Sequence, residues 1–320
     1  MTITEPRDTI APYLGAQLNA FRARILASNR PGDLDGRPYL QLASRLSLVG
    51  GVRFVHNTTF GNEAVPRAAA SFAVLKGGKS FSGTRLRFSY ATGIKEARLE
   101  EAFGIGGFNI IPNPNLQAEQ NRAFEAGLQQ SMFAGKGFVS ATYFNNLFTN
   151  QIAFSSDPVT YVAQYVNLNR ALAHGAEVEI RARPSTRLSF TASYTYTSTQ
   201  ILSAPLAFDP LLSAGQPLLR RPRHAGSLLA VYSSLRWGAE LAGTFLGRRA
   251  DSDFEGLLPP VTYAAGYARF DLGGWREITH RITVYANLEN LLDRHYDEAA
   301  GFPALGRNVR VGMRFRVGGD

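Results

Sequence analysis

The final residues, "LGRNVRVGMRFRVGGD", alternate without a break from Asn308 to Val317. Asn308, Arg310, Gly312, Arg314 and Arg316 fall on one side, and Val309, Val311, Met313, Phe315 and Val317 on the other. A period of two belongs to an extended strand with two chemically opposite faces. The pattern recurs along the chain. In "RLSFTASYTYT" the residues Leu188, Phe190, Ala192, Tyr194 and Tyr196 oppose Arg187, Ser189, Thr191, Ser193, Thr195 and Thr197. "HRITVYANLEN", "GAEVEIRAR" and "TRLRFSY" divide in the same way, and each segment has about the length a tilted strand needs to cross a bilayer. All of them pose one question: which face is the inside. A soluble protein buries the valines and wets the arginines, whereas a barrel standing in lipid does the reverse.

Composition narrows the classes. Phe at 21, Tyr at 13, Gly at 31 and only 3 Met suit strands and turns, which points to an all-β chain. Cysteine is absent, so disulfides and thiolate metal sites are excluded. The net charge of +9 comes largely from arginines that alternate with apolar residues instead of forming runs, and no nucleic-acid partner is expected. No run of ~18 apolar residues exists to form a transmembrane helix. Transmembrane strands stay open, because they are only half apolar.

The connections alternate in length. Short ones fall at Ala134–Gly137, Arg183–Arg187, Ser233–Gly238 and Gly273–His280, and long polar ones at roughly residues 94–119, 200–222, 249–261 and 291–306. Short turns at one end and long loops at the other describe an antiparallel up-and-down transmembrane β-barrel. About fourteen strands are expected between Tyr13 and Val317, forming one barrel domain over residues 1–320. The alternatives are a soluble β-sandwich binding protein and a passive porin-like channel. Against the sandwich stands the small, Ala-rich apolar face: lipid needs no jigsaw fit, but a dry core does.

Several stretches, taken in order, resemble the TonB-dependent outer-membrane receptors in the C-terminal part of their barrel. They are "RLSLVGGVRF", "TTFGNEAVPRAAASF", "LRFSYATGIKEARLEEAFG", "NPNLQAEQNRAFEAGLQ", "SATYFNNLFTNQI", "YVNLNRALAHGAEVEI", "PLLRRPRHAGSLLAVY" and "NLLDRHYDEAAGFPALGRNVRVGMRF". Ala97 and Ala118 stand where the family usually has proline, and the aligned last position, about Val317, is not the usual terminal aromatic. The resemblance implies a receptor or transporter barrel in the outer membrane of a Gram-negative-type envelope. It would take up a scarce nutrient such as a ferric siderophore, cobalamin or an oligosaccharide. It also implies a larger barrel of about 22 strands, of which these are the last. The plug, the energy-coupling box and the earlier strands have no counterpart here, so coupling to the TonB complex is expected only through an N-terminal region not among these residues. The first strand, about Pro12–Ala27, is expected to pair with a neighbour outside the chain, which makes the chain a fragment.

No enzyme is expected. His56, His174, His224, His280 and His295 are scattered singly, with no HExxH, and no GxSxG occurs. A serine–histidine hydrolase on the barrel wall is the rival of that class, but no Ser/His pair identifies it. No cofactor or metal is implied. The expected partners are outer-membrane lipid and a small nutrient ligand, with the chain a monomer. Ligand contacts are expected from exposed aromatic and acidic residues of the long loops: Phe103, Phe108, Phe208, Asp209, Asp251, Asp253, Phe254 and Phe302. In "NLLDRHY", Asn290 and Asp293 are expected to hydrogen-bond the backbone of a rim turn.

Overall fold

A computed structural model describes residues 39–42, 45–57, 61–104, 110–157, 159–160, 162–204, 210–252 and 261–317. The chain runs through β1 (Tyr39–Leu42), β2 (Leu46–Asn57), β3 (Gly61–Lys76), β4 (Phe81–Lys95), α1 (Leu99–Phe103), β5 (Ile110–Ile111) and β6 (Glu119–Met132). Then come β7 (Gly137–Ser156), β8 (Ala163–Ala182), β9 (Leu188–Ser203), β10 (His224–Ser233), β11 (Trp237–Leu246), β12 (Arg249–Asp251) and β13 (Thr262–Ala264). The last are β14 (Tyr267–Thr279), β15 (Ile282–Glu289), β16 (Asp297–Ala299), β17 (Phe302–Pro303) and β18 (Asn308–Phe315). One 14-stranded sheet holds almost everything, in the order β1-β2-β3-β4-β6-β7-β8-β9-β10-β11-β14-β15-β18, with β5 added in parallel to β8. All other neighbours in it are antiparallel. β1 and β18 are its edges among the described residues.

Register carries the alternation from strand to strand. Leu86 pairs with Leu128, Leu128 with Ala141, Ala141 with Val178 and Val178 with Tyr194. Further on, Leu228 pairs with Ala192, Leu241 with Leu272, Leu272 with Leu288 and Leu288 with Val309. One face is therefore an unbroken apolar band, and the other carries Arg85, Gln129, Ser140, Glu179 and Ser193 in one row. A sandwich would cover the band with a second sheet. Among the described residues none does: Phe88 is 47 % exposed, Ile180 47 %, Leu272 44 % and Val311 76 %. So large an uncovered apolar surface fits lipid, and the polar face, with its Ser193–Ser227 hydroxyl pair at 2.7 Å and its Arg310–Glu289 ion pair, lines the lumen. The valines of the last strand face out.

The antiparallel order puts residues 77–80, 133–136, 183–187, 234–236 and 280–281 at one end of the sheet as short turns. The described residues of the connections 96–118, 204–223, 247–266 and 290–307 lie at the other. One expected turn is corrected. Gly273–His280 is mostly strand, because β14 runs on to Thr279 with a bulge between Glu277 and Thr279. Its glycines serve close approach instead of turning: a Cβ on Gly273 would sit 2.8 Å from Cγ of Glu240 on the neighbouring strand. The expected first strand at Pro12–Ala27 lies outside the described residues.

Candidate functional site

The described residues of the long-loop rim are tied to one another by hydrogen bonds and ion pairs. β7 and β8 each have 20 residues, so at ~3.3 Å per residue they extend roughly 65 Å and stand well clear of a ~30 Å apolar layer even when tilted. Loop 96–118 leans on this hairpin. Asn113 donates from its backbone N–H to the Ala102 carbonyl at 2.8 Å and from Nδ2 to the Tyr165 carbonyl at 2.9 Å. Asn167 accepts from the Gln117 N–H at 2.8 Å and donates back to the Gln117 carbonyl at 3.0 Å. Leu168, Ile201 and Leu212 form a small apolar core where β8, β9 and loop 204–223 meet.

The other three long loops are bound by two buried charges. Asp251, fully buried, accepts at Oδ1 from Arg220 Nε and the Ser252 N–H, both at 2.8 Å, and at Oδ2 from the Ala300 N–H at 2.8 Å. One carboxylate thus joins loops 204–223, 247–266 and 290–307. Arg249, 5 % exposed, donates from Nη2 to the carbonyls of Asp297 at 2.8 Å and Glu298 at 2.6 Å, and from Nη1 to Ala265 at 3.3 Å. Beneath them Tyr267 stacks on Tyr296 with centroids 3.8 Å apart. Asp271 takes Arg269 Nη2 and the Asn290 N–H, each at 2.8 Å.

The rim turn behaves as its residue types dictate. Asn290 has φ +51° and Asp293 φ +49°, a left-handed region that Asn and Asp tolerate best among residues with a side chain. Asn290 Nδ2 donates to the carbonyls of Arg294 and Leu305, and Asp293 Oδ1 accepts from the Arg307 N–H at 2.7 Å.

Burial by itself would push the Asp251 carboxyl up. The hydrogen bond from Arg220, with those from the Ala300 and Ser252 N–H groups, outweighs it and holds the group below the ordinary carboxylate range. A depressed carboxyl gives stability that is present above its unfolded value of about 3.9 and is lost as pH falls through the folded one. Amide exchange in residues 249–252 and 297–300 is therefore expected to stay slow from neutral pH down to about pH 4. It should accelerate below that, and exchange that stays independent of pH below about pH 4, after correction for intrinsic rates, would contradict it.

Of the expected ligand residues, Phe108, Phe208, Asp209, Asp253 and Phe254 lie outside the described residues. Phe103 closes α1 and is 61 % exposed, and Phe302, in β17, is 68 % exposed. Asp251 corrects the expectation of an exposed loop acid, since both its oxygens are spent inside the rim. The Ala300 bond brings the segments of Asp251 and Phe302 together, while Phe103 stands on the separate 96–118 loop. The sequence reading passed over Arg220, Arg249 and the pair in which the Arg248 guanidinium lies 4.0 Å from the Tyr263 ring centroid. Among the described residues the exposed surface of this rim carries Tyr263, Phe302 and, on α1, Leu99 and Phe103, beside charges of both signs: Arg98, Arg248 and Arg294 as well as Glu100, Asp293, Asp297 and Glu298.

A sheet with a lipid-facing band, a polar inner face, short turns at one end and a braced rim at the other defines an outer-membrane-type β-barrel wall. The family model for the TonB-dependent receptor-like β-barrel matches residues 12–291, and the chain belongs to that family. Solved structures similar to it include a ferric enterobactin receptor (PfeA) variant from Pseudomonas aeruginosa in complex with enterobactin, at 18 % identity and TM-score 0.67. The siderophore receptor PirA from Acinetobacter baumannii has 14 % identity and TM-score 0.67, and the copper transporter OprC 18 % and 0.63. Each likeness covers 87 % of this chain, but only 44 %, 44 % and 46 % of those chains in turn, and at such identity it speaks for the fold. The chain spans less than half the length of the receptors it matches.

Proposed function

We propose that this barrel serves a receptor in the outer membrane that takes up a ferric siderophore, and that it is not an enzyme. The carrying observation is the rim: loops fastened by Asp251 and Arg249 present exposed aromatics, with the Arg248 guanidinium against the Tyr263 ring, at one end of a sheet whose inner face bears arginines, which suits a bulky, anionic metal chelate. The siderophore receptors among the similar structures support the same class. Energy from the inner membrane would enter through TonB contacts made by a plug-bearing region outside these residues, and the nutrient ligand would be bound by one copy of the chain.

Two measurements test this. The chain should be recovered in the outer-membrane fraction and migrate faster in detergent gels before boiling than after; a soluble monomer would sink the barrel reading altogether. Folded protein should then bind ferric enterobactin, used as probe, with saturation. Phe302→Ala and Tyr263→Ala should each weaken binding about tenfold, as loss of a contact residue of this size does. Folded protein without saturable binding would remove the siderophore class while leaving the barrel.

A further inference from the structure

The two ends of the sheet differ in charge. The five short turns at residues 77–80, 133–136, 183–187, 234–236 and 280–281 contain Lys79, Lys136, Arg183, Arg187, Arg236 and Arg281 and not one Asp or Glu. The loops of the opposite rim mix both signs, for example Glu96, Arg98, Glu100 and Glu101 in one and Asp293, Arg294, Asp297 and Glu298 in another. Strand alternation does not ask for such a ring, since turn geometry is served by Gly, Pro, Asn, Asp and Ser without regard to positive charge.

Beside two of these turns the lipid face is notched. Met132 pairs with Gly137 and Gly137 with Ala182, in the same outward rows as Val139 and Ile180. Gly137 and Ala182 leave a floor without bulk, and Met132, Phe133, Val139 and Ile180 wall a groove of about 340 Å³. The Phe133 ring lies close over the floor: a Cβ on Gly137 would be 3.3 Å from its Cδ2. Phe133 is 61 % exposed and Ile180 47 %. Lys136 and Arg181 line the groove, and Arg183, which falls between the lining residues Ala182 and Pro184, donates its N–H to the Lys136 carbonyl at 2.7 Å, so that the backbones of Lys136 and Arg183 are neighbours at this end of the groove. A third turn joins them, since the Phe133 N–H donates to the Ser80 carbonyl at 3.0 Å and brings up the Lys79 turn.

We infer that this notch binds an acidic glycerophospholipid of the leaflet the short turns face, an acyl chain lying on Gly137 and Ala182 and the phosphate held by Lys136 and Arg183. An apolar slot that opens sideways into the bilayer and ends, at headgroup level, in adjacent cations matches the two halves of such a lipid. An acidic protein segment would meet the cations but has no use for the slot. The inference rests on the bilayer location proposed above and not on the ligand of the rim.

The test uses the full chain folded into nanodiscs of mixed phosphatidylethanolamine and phosphatidylglycerol, with folding verified by the heat shift in migration, then stripped in mild detergent and its retained lipid quantified by mass spectrometry. Phosphatidylglycerol should be enriched about thirtyfold over the bulk ratio, the effect of two cations near a membrane surface. In K136Q/R183Q the enrichment should fall to parity, in Ala182→Leu both lipids should be lost from folded protein, and in Arg236→Gln, on a remote turn, nothing should change. Parity in the unaltered chain, enrichment that survives K136Q/R183Q, or enrichment abolished by an added polyglutamate peptide would each overturn the inference. Failure of the heat shift itself would instead strike the barrel reading.

Discussion

Gly175→Ala is expected to cripple folding although it adds one methyl group. Gly175 lies in β8 opposite Thr197 of β9, and a Cβ there would stand 1.8 Å from the Tyr196 carbonyl oxygen and 3.0 Å from Cζ of Phe144. A side chain could rotate away from such a contact, but a carbonyl oxygen within a hydrogen-bonded ladder cannot. Overpacking usually costs about 1–3 kcal/mol, and here the backbone of two strands must part, so about 3 kcal/mol or more is expected. In lipid the parted strands find no water for their peptide groups, which makes slippage costlier than in a soluble sheet. The fraction of heat-modifiable protein after refolding reads this out. Gly51→Ala is the control, because a Cβ on Gly51 meets nothing within 4 Å. Equal yields from both variants would contradict the packing described at β8 and β9.

Arg249→Ala should unfasten the rim without unfolding the wall. The guanidinium is 5 % exposed, and its loss leaves the carbonyls of Asp297, Glu298 and Ala265 without their charged donor. Hydrogen bonds to a charged group are worth about 1.5–3 kcal/mol, so about 2 kcal/mol of local stability should go. Arg249→Lys should rescue only a part, since an ammonium on a flexible stem lacks the planar fork that reaches three carbonyls at once. Proteolysis should then open residues 290–307 while the protease-resistant strands and the heat shift persist. Unaltered protection of that loop would show that Arg249 does not hold it.

How far the sequence reveals all this depends on whether a segment has a period. β15 and β18 are legible because apolar and polar residues alternate to the last residue of each strand, and β9 because they do so from Leu188 to Thr197. The turn of Asn290 and Asp293 is legible because those residue types bond their own backbone. Gly273 and Gly274 misled, since two glycines signal a turn and close side-chain approach equally well. The loops have no period at all: nothing in "RRADSD" marks Asp251 as the acid that turns inward, and its donors, Arg220 and Ala300, are 31 and 49 positions away. The extra height of β7 and β8 was hidden for a similar reason, because the bonds that extend the hairpin reach back to Asn113, Gln117 and Glu119.

The central claim is which face meets lipid. Because the chain has no cysteine, a single Cys replacement can report one position at a time along two strands. The folded protein in bilayers is labelled with a spin probe, and collisions with lipid-soluble oxygen are compared with those of a water-soluble paramagnetic complex. Positions Phe190, Ala192, Val309, Val311 and Met313 should favour oxygen, and Thr191, Ser193, Arg310 and Arg314 the aqueous reagent, alternating residue by residue. The opposite phase, or uniform aqueous access on both faces, would contradict the account.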